Sequence, residues 1–348
     1  MTFRNNLLIL LLSLFACAAG FAEEDEDFAT SRPGKKEGPT KVYFLVFVLD
    51  IDDINGAQQS FAANVYIHLR WHDPRLAHTG TYSRSFPLEA VWNPQVIVAN
   101  QQGILRTSLP RDVKVTPEGM AHYHQRYTGA LSQPLQLSKF PLDEHQFTIQ
   151  FSAVGYSTEE IEFIPEKVTD SDGLVSGEGM VGGGIADELS LPDWKLLKYK
   201  STVHAYRPVR EIENAGFAFE FVARRHFLYY LWQVVVPLTV VVFMSWAAFW
   251  IDPSQSGTQI GVATSAVLSL IAFRFVLGDL LPRLPYMTRL DYYTLGSTLL
   301  VFFALVEVIT TSYLARNKRE RLARKLDRVA RIAFPAVFIL LFIRLFFL

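Results

Sequence analysis

Six residues within 257–281 have a spacing that could do chemistry. Gly261, Ser265, Leu268, Ala272, Phe275 and Asp279 recur at steps of four, three, four, three and four. On an α-helix such steps fall on one stripe, and the distance from first to last is about five turns, ~27 Å. The stripe is small or hydroxylated at one end, apolar in the middle and acidic at the other. If several copies surrounded an axis, rings of Ser265 would offer hydroxyls to a partly dehydrated ion. Rings of Leu268, Ala272 and Phe275 would make an apolar constriction that gates by dewetting, and a ring of Asp279 would concentrate cations at the mouth. Small residues at such spacing also serve helix–helix packing in membranes, and spacing alone leaves both readings standing.

A stripe of this kind needs a helix fixed in a bilayer. Four apolar segments follow residue 226, at 227–251, 257–281, 290–314 and 332–348, the first three long enough to span and the last short, with Arg344 expected to snorkel to the outer interface. Between the third and fourth lies the connector 315–331, which carries eight basic residues against Glu320 and Asp327. A basic run alone could bind nucleic acid. Between two spans it reads as a cytoplasmic anchor, which places the N-terminal region and the C-terminus outside and leaves no role for nucleic acid.

Half of the 348 residues are apolar, and the excess is concentrated after Phe227. Residues 1–22 have a basic start at Arg4, an apolar run over 7–19 and small residues up to Ala22, the layout of a signal peptide. The single cysteine, Cys17, lies inside it, so removal of the peptide leaves no thiol for a disulfide or thiolate metal site; acylation of Cys17 is the competing reading. Residues 23–40, acidic and then rich in Gly, Pro and Lys, read as a mobile leader. Over 41–225 the pattern is that of strands. Phe61, Ala63, Val65, Ile67, Leu69 and Trp71 alternate with more polar neighbours, and Phe147, Ile149, Phe151 and Phe217, Phe219, Phe221 repeat the period. The expected architecture is an all-β sandwich followed by an all-α transmembrane domain of four helices over 226–348.

Other chemistry is sparse. All eight histidines lie between His68 and His226, where protons could act on them near neutral pH. Glu159, Glu160, Glu162, Asp187 and Glu188 could hold a modulatory divalent cation or simply form a solvated face. Gly177–Gly182 fits G-x-G-x-x-G but sits in an all-β region, where a dinucleotide site has no βαβ unit to support it. No nucleophile–base pair is visible, so neither an enzyme nor a cofactor is expected.

The strings Trp71-His72-Asp73-Pro74-Arg75-Leu76, Trp92-Asn93-Pro94 and Phe140-Pro141-Leu142-Asp143, with Arg225 just before the first span, resemble the Cys-loop receptor family in its bacterial branch. Tyr229-Tyr230-Leu231-Trp232, Pro237-Leu238, Leu281-Pro282-Arg283-Leu284-Pro285-Tyr286 and Ala333-Phe334-Pro335 are similar to the Erwinia-type bacterial channels almost letter for letter. The resemblance covers residues 41–348. It implies a ligand-gated ion channel in a bacterial inner membrane, with its sandwich in the periplasm and four further identical subunits as partners. It also implies that the second span lines the pore and passes cations. Phe140, Pro141, Asp143 and Arg225 would couple the sandwich to Pro282 and Pro285, with Arg225 pairing Asp143. The family's signature disulfide is missing, its positions falling at Phe147 and near Gln133. The family's agonist pocket would fall at Tyr66, Ser152, Val154, Tyr156 and Tyr206; with Ser152 and Val154 where relatives carry an acid and an aromatic, the aromatic cage for an ammonium is depleted. At the inner mouth Thr258 and Gln259 stand where charges are expected, and Arg274 and Glu307 are charges within spans that need protein or water. The alternative reading is a periplasmic sensor tethered by passive helices.

Overall fold

The computed structural model describes residues 30–35, 38–167, 181–280 and 284–347, without the side chains of 276 and 278–280. Residues 1–22, Gly177, Pro282 and the Asp279 side chain lie outside that description. Of the leader, the described part is tied down rather than mobile. The Arg32 guanidinium donates to the carbonyls of Gly38 (2.8 Å) and Glu160 (3.0 Å) and to the Thr40 hydroxyl (3.1 Å), which stitches the segment to the first strand.

The larger sheet is built on three long strands, β1 (Thr40–Asn55), β2 (Ser60–His72) and, after the short β3 (Arg84–Pro87), β4 (Val96–Val98), β5 (Arg106–Thr107) and β6 (Asp112–Val115), β7 (Met120–Ser132). Next come β8 (Glu144–Ala153), β9 (Ile161–Pro165), β10 (Gly183–Ile185), β11 (Trp194–Val209) and β12 (Ile212–Arg225). One sheet runs β10-β1-β2-β7-β6-β3, with β9 added to β1 and β5 to β7; the other runs β11-β12-β8-β4. Period-two alternation decides which faces meet. Val42, Phe44, Val46 and Val48 of β1 and Ile67 and Trp71 of β2 are fully buried, as are Phe147, Ile149 and Phe151 of β8 and Phe217, Phe219 and Phe221 of β12. Phe44 meets Phe151 and Phe217 at centroid distances of 5.1 and 4.4 Å, and Phe61 meets Phe147 at 5.4 Å, so aromatic contacts run from sheet to sheet. β10 approaches β1 so closely that a Cβ on Gly183 would stand 1.8 Å from the Val46 carbonyl, and its φ of +143° also requires glycine.

The missing disulfide has a substitute. Phe147 stacks on Phe221 at 5.0 Å, and the Gln133 side-chain carbonyl accepts from the Thr148 amide at 3.0 Å. A disulfide closing a loop of this length would contribute about 3 kcal/mol by restricting the unfolded chain; here the loop ends are held by packing and one hydrogen bond instead.

Four helices follow: α1 (Phe227–Trp250), α2 (Ser256–Leu280), α3 (Arg289–Arg316) and α4 (Glu320–Phe346). α1 is not uniform. Pro237 has no N–H to give the preceding turn, and a wide turn at Leu231–Val235 takes up the mismatch. The Val235 carbonyl next to it accepts from Thr239 Oγ1 (2.7 Å) and from the Tyr293 hydroxyl of α3 (3.3 Å). Thr288 and Asp291 form a reciprocal capping box that starts α3.

The connector departs from expectation. Only Asn317, Lys318 and Arg319 separate α3 from α4, with Lys318 at φ +58°, and the basic stretch from Glu320 onward is helix rather than loop. Its Arg, Lys, Leu and Ala are strong helix formers, and 27 residues of helix reach ~40 Å, longer than the apolar core of a bilayer. The extension has a use. Arg331 donates twice to the Phe249 carbonyl (2.9 and 2.8 Å), satisfying the C-terminal end of α1 with a cation.

The sandwich core yields a direct test. Phe217→Ala removes a fully buried ring and is expected to cost about 3–5 kcal/mol, a fall of roughly 10 °C in the melting temperature of the full chain in detergent, whereas Val209→Ala at an exposed position leaves it unchanged.

Candidate ion pathway and gating junction

Along α2, burial separates two faces. Gln259, Ala263, Ala266, Leu270 and Leu277 are buried against the other helices. Gly261, Ser265, Leu268, Ala272 and Phe275 are all exposed, Leu268 at 62% and Phe275 at 78%. The spacing read from the sequence is thus one open stripe pointing away from the subunit's own helices. Ser265 donates to the Gly261 carbonyl at 2.9 Å, which satisfies its proton within the helix and leaves the hydroxyl lone pairs to face outward. Arg274, also exposed, has no ion-pair partner among the described residues.

Gln259 does not stand at the mouth with Thr258. It is fully buried, donates to the Ala248 carbonyl of α1 (3.2 Å) and accepts from the Ser312 hydroxyl of α3 (3.3 Å). It ties three helices together, whereas Thr258 is exposed. Glu307, buried at both carboxylate oxygens, faces protein as expected.

At the junction of sandwich and helices the geometry is dense. Arg225, the last residue of β12, donates to Asp143 through Nε (3.0 Å) and Nη2 (3.2 Å), and its amide donates to the Asp143 carbonyl (3.2 Å). The side chains are 8% and 1% exposed, so the pair is desolvated and charge pairing there is stronger than at an open surface. The guanidinium lies over the rings of Trp194 (4.1 Å) and Phe140 (4.9 Å), and Phe140 meets Tyr230 of α1 edge-on at 4.8 Å. His145 is a second partner of the Asp143 carboxylate, at 2.9 Å.

The loop also bonds to the helices directly. The Phe140 carbonyl accepts from the Leu290 amide at the start of α3 (3.2 Å), and the Tyr286 hydroxyl accepts from the Leu137 amide (3.0 Å). Pro141 is buried and Pro285 exposed, and the hydrogen bonds from this linker to the sandwich run through the Tyr286 hydroxyl. Tyr286 closes the string quoted from the sequence, yet nothing there marked its hydroxyl as a bridge. Trp194 and His145 carried no signal beyond being an aromatic and a strand residue near the loop.

The candidate agonist residues fall in two places: Ser152, Tyr156 and Tyr206 border the Asn214–Gly216 stretch of β12, whereas Tyr66 belongs to the larger sheet. Tyr66 lies on the outward face of the larger sheet, between the buried Val65 and Ile67, and bonds His124 Nδ1 at 2.6 Å. Ser152 is buried and Val154 exposed near the end of β8, while the Tyr156 hydroxyl accepts from Trp92 Nε1 at 2.9 Å. Tyr206 lies on β11 opposite Asn214. Burial pushes His122 and His124 below the usual imidazole range, with nearby His68 adding to it, and His124 falls to about 4. These two are therefore neutral at pH 7, and any proton effect through them belongs to acid pH. The acids at 159–162 and 187–188 do not assemble a metal centre among the described residues.

The Asp143 carboxyl is pulled both ways. Burial, the largest influence, pushes it up, while the His145 hydrogen bond and the Arg225 charge draw it down and leave it below the usual carboxylate range. A depressed group contributes stability that is complete above its unfolded value, about 3.9 for Asp, and is lost as pH falls through the folded value. Asp143→Asn, which strands a buried guanidinium, is expected to cost about 3–5 kcal/mol at neutral pH. The gap in melting temperature between wild type and variant should close as pH drops below the carboxylate range; a gap independent of pH contradicts the ion pair.

Comparison with known proteins matches these features. The family model for the neurotransmitter-gated ion-channel ligand binding domain covers residues 28–226, and that for the neurotransmitter-gated ion-channel transmembrane region covers 234–321. A proton-gated ion channel of Gloeobacter violaceus is 24% identical over 328 residues, which span 93% of this chain and 87% of that protein. With a sandwich of matching extent, four membrane-length helices after it and both family models aligned in order, the chain belongs to the neurotransmitter-gated ion-channel family and is a multi-pass, ligand-gated channel protein whose N-terminal domain is extracellular.

Proposed function

We propose that five copies of this chain form a cation-selective channel of a bacterial inner membrane, with α2 lining the pore and the sandwich in the periplasm. The observation that carries the reading is the open stripe of α2, which is exposed from Gly261 to Phe275 while the opposite face is buried. Placed around an axis, Ser265 supplies hydroxyls near the inner end, Leu268, Ala272 and Phe275 an apolar gate, and Asp279 the outer carboxylate ring that attracts cations. The strings at 229–232 and 281–286 support grouping the chain with the Erwinia-type channels. Membrane lipid surrounds the exposed faces of α3 and α4.

A ligand bound to the sandwich shifts the pore toward a hydrated geometry. The path we infer runs from β12 and the Phe140–Asp143 loop, through Arg225 and Tyr286, to Leu290 and the linker holding Pro282 and Pro285. The agonist is a small molecule other than a simple ammonium, because Ser152 and Val154 offer no acid or ring and Tyr156 already holds Trp92.

Two substitutions read the pore by planar-bilayer recording of the purified protein. Asp279→Asn should shift the reversal potential in a KCl gradient toward zero, because the outer cation ring is lost; unchanged cation preference refutes that ring. Leu268→Ser should raise the open fraction without ligand, because a hydroxyl wets the constriction. If it changes neither open fraction nor conductance, Leu268 does not line the constriction; if no variant along the stripe does, α2 is not the pore helix.

A further inference from the structure

On the outward face of the larger sheet three imidazoles stand together. His122 and His124 are two residues apart on β7, so both point to the same face, and His68 of β2 is the cross-strand partner of His124. His68 Nε2 lies 3.1 Å from His122 Nδ1, and the His68 ring lies parallel to that of His124 at a centroid distance of 4.4 Å. Two of the rings are held from behind. Glu166 Oε2 is 3.3 Å from His68 Nδ1, and the Tyr66 hydroxyl is 2.6 Å from His124 Nδ1. The candidate ligand atoms are His124 Nε2 together with His68 Nε2 and His122 Nδ1, which share a hydrogen bond that an ion would replace.

We propose that His68, His122 and His124 bind a divalent transition-metal ion of the Zn2+ class and so bridge β2 to β7. A His-x-His pair on one strand with a third histidine across the sheet supplies three nitrogen ligands, leaving a fourth tetrahedral position for water. The 3.1 Å nitrogen separation between His68 and His122 is near the ~3.3 Å expected for two nitrogens on one tetrahedral ion. A carboxylate on the far nitrogen of a ligating histidine fixes its tautomer and raises its basicity, and Glu166 Oε2, buried without a hydrogen-bond partner and 3.3 Å from His68 Nδ1, is placed to take up that role when the ring turns.

Without metal the rings stack and their nitrogens do not surround one point. Binding requires rotation about the terminal imidazole torsions, which are soft. The half-buried position allows this, and ions can enter from the open face. Two cations stand near. Arg70 is drawn aside by Glu166 (2.9 Å) and by the Tyr43 ring (4.6 Å), and Lys114 pairs with His122 in the β6–β7 register. Glu166 offsets part of their charge. Three nitrogens and no gathered carboxylates select Zn2+, Ni2+ or Cu2+ over Ca2+ or Mg2+. The site does not depend on whether α2 lines a pore.

The test is calorimetric titration of the untagged full chain in detergent with Zn2+, alongside the visible spectrum of the Co2+-loaded protein. The proposal expects one Zn2+ per chain and a strong tetrahedral Co2+ absorption. The double change His122→Gln/His124→Gln should weaken Zn2+ binding more than about 100-fold and Glu166→Gln roughly 10–100-fold. His72→Gln, an exposed histidine outside the cluster, should leave it unchanged. Metal-free melting curves show whether each variant is folded. No Zn2+ binding by the wild type, a purely octahedral Co2+ spectrum, or full affinity in a folded double variant would each overturn the site.

Discussion

A membrane helix packed on one side by its own subunit must find a second environment for its open side, and the rest of the architecture follows from what that side carries. α2 offers glycine, hydroxyl, leucine, alanine and phenylalanine there, with an exposed arginine beside them. Lipid alone is a poor solvent for such a face, because a charge in hydrocarbon costs at least about 2.5–3.5 kcal/mol at the midplane. In the proposed assembly, copies of the same helix around shared water would solve the problem for the polar end and the charge together. The buried face is specific in its own way: Gln259, held between the Ala248 carbonyl and the Ser312 hydroxyl, fixes the rotation of α2 about its axis and hence which residues are left open.

The second requirement is a stiff joint between two domains built on different principles. A sheet edge and a helix bundle share few regular contacts; here a desolvated charge pair with an aromatic box around it locks the Phe140–Asp143 loop to the end of β12, and that loop meets Tyr230, Tyr286 and Leu290 of the helical part. Arg225 ends β12 and only His226 stands between it and α1, so in the proposed path that strand leads directly into the first helix. The loop it holds touches α3 through Leu290 and the linker through Tyr286. This gives the proposed gating path three separate attachments. None of them needs the family's disulfide, since Phe147 and Gln133 hold the loop from within the sandwich.

Much of this was legible in advance where a periodicity or a length carried it. The alternation through Phe61–Trp71 marks the buried face of β2, and the four long apolar runs mark the helices. Pairing of Asp143 with Arg225 followed from the resemblance and is present as geometry. What escaped reading depends on contacts distant in sequence. Nothing local shows that Gln259 meets Ser312, that Trp194 lies under Arg225, or that Arg331 reaches back to Phe249. The start of α4 was hidden differently, because its polarity resembles a loop while its helix propensity is high. In the candidate agonist region the sequence named Tyr66 for a ligand, and the structure shows its hydroxyl engaged with His124, which is why the histidine cluster became visible only in three dimensions.

The central claim is that the stripe of α2 faces water. Single cysteines at 264–272 in the natural chain, whose only thiol is Cys17, can be probed with a membrane-impermeant thiol reagent on protein in lipid vesicles, with and without conditions that open the channel. The account predicts that Ser265→Cys, Leu268→Cys and Ala272→Cys react while Ala266→Cys and Leu270→Cys do not, a helical pattern that matches exposure in the subunit. Protection of the entire stripe under every condition would contradict it and leave an extracellular sandwich carried on a closed anchor.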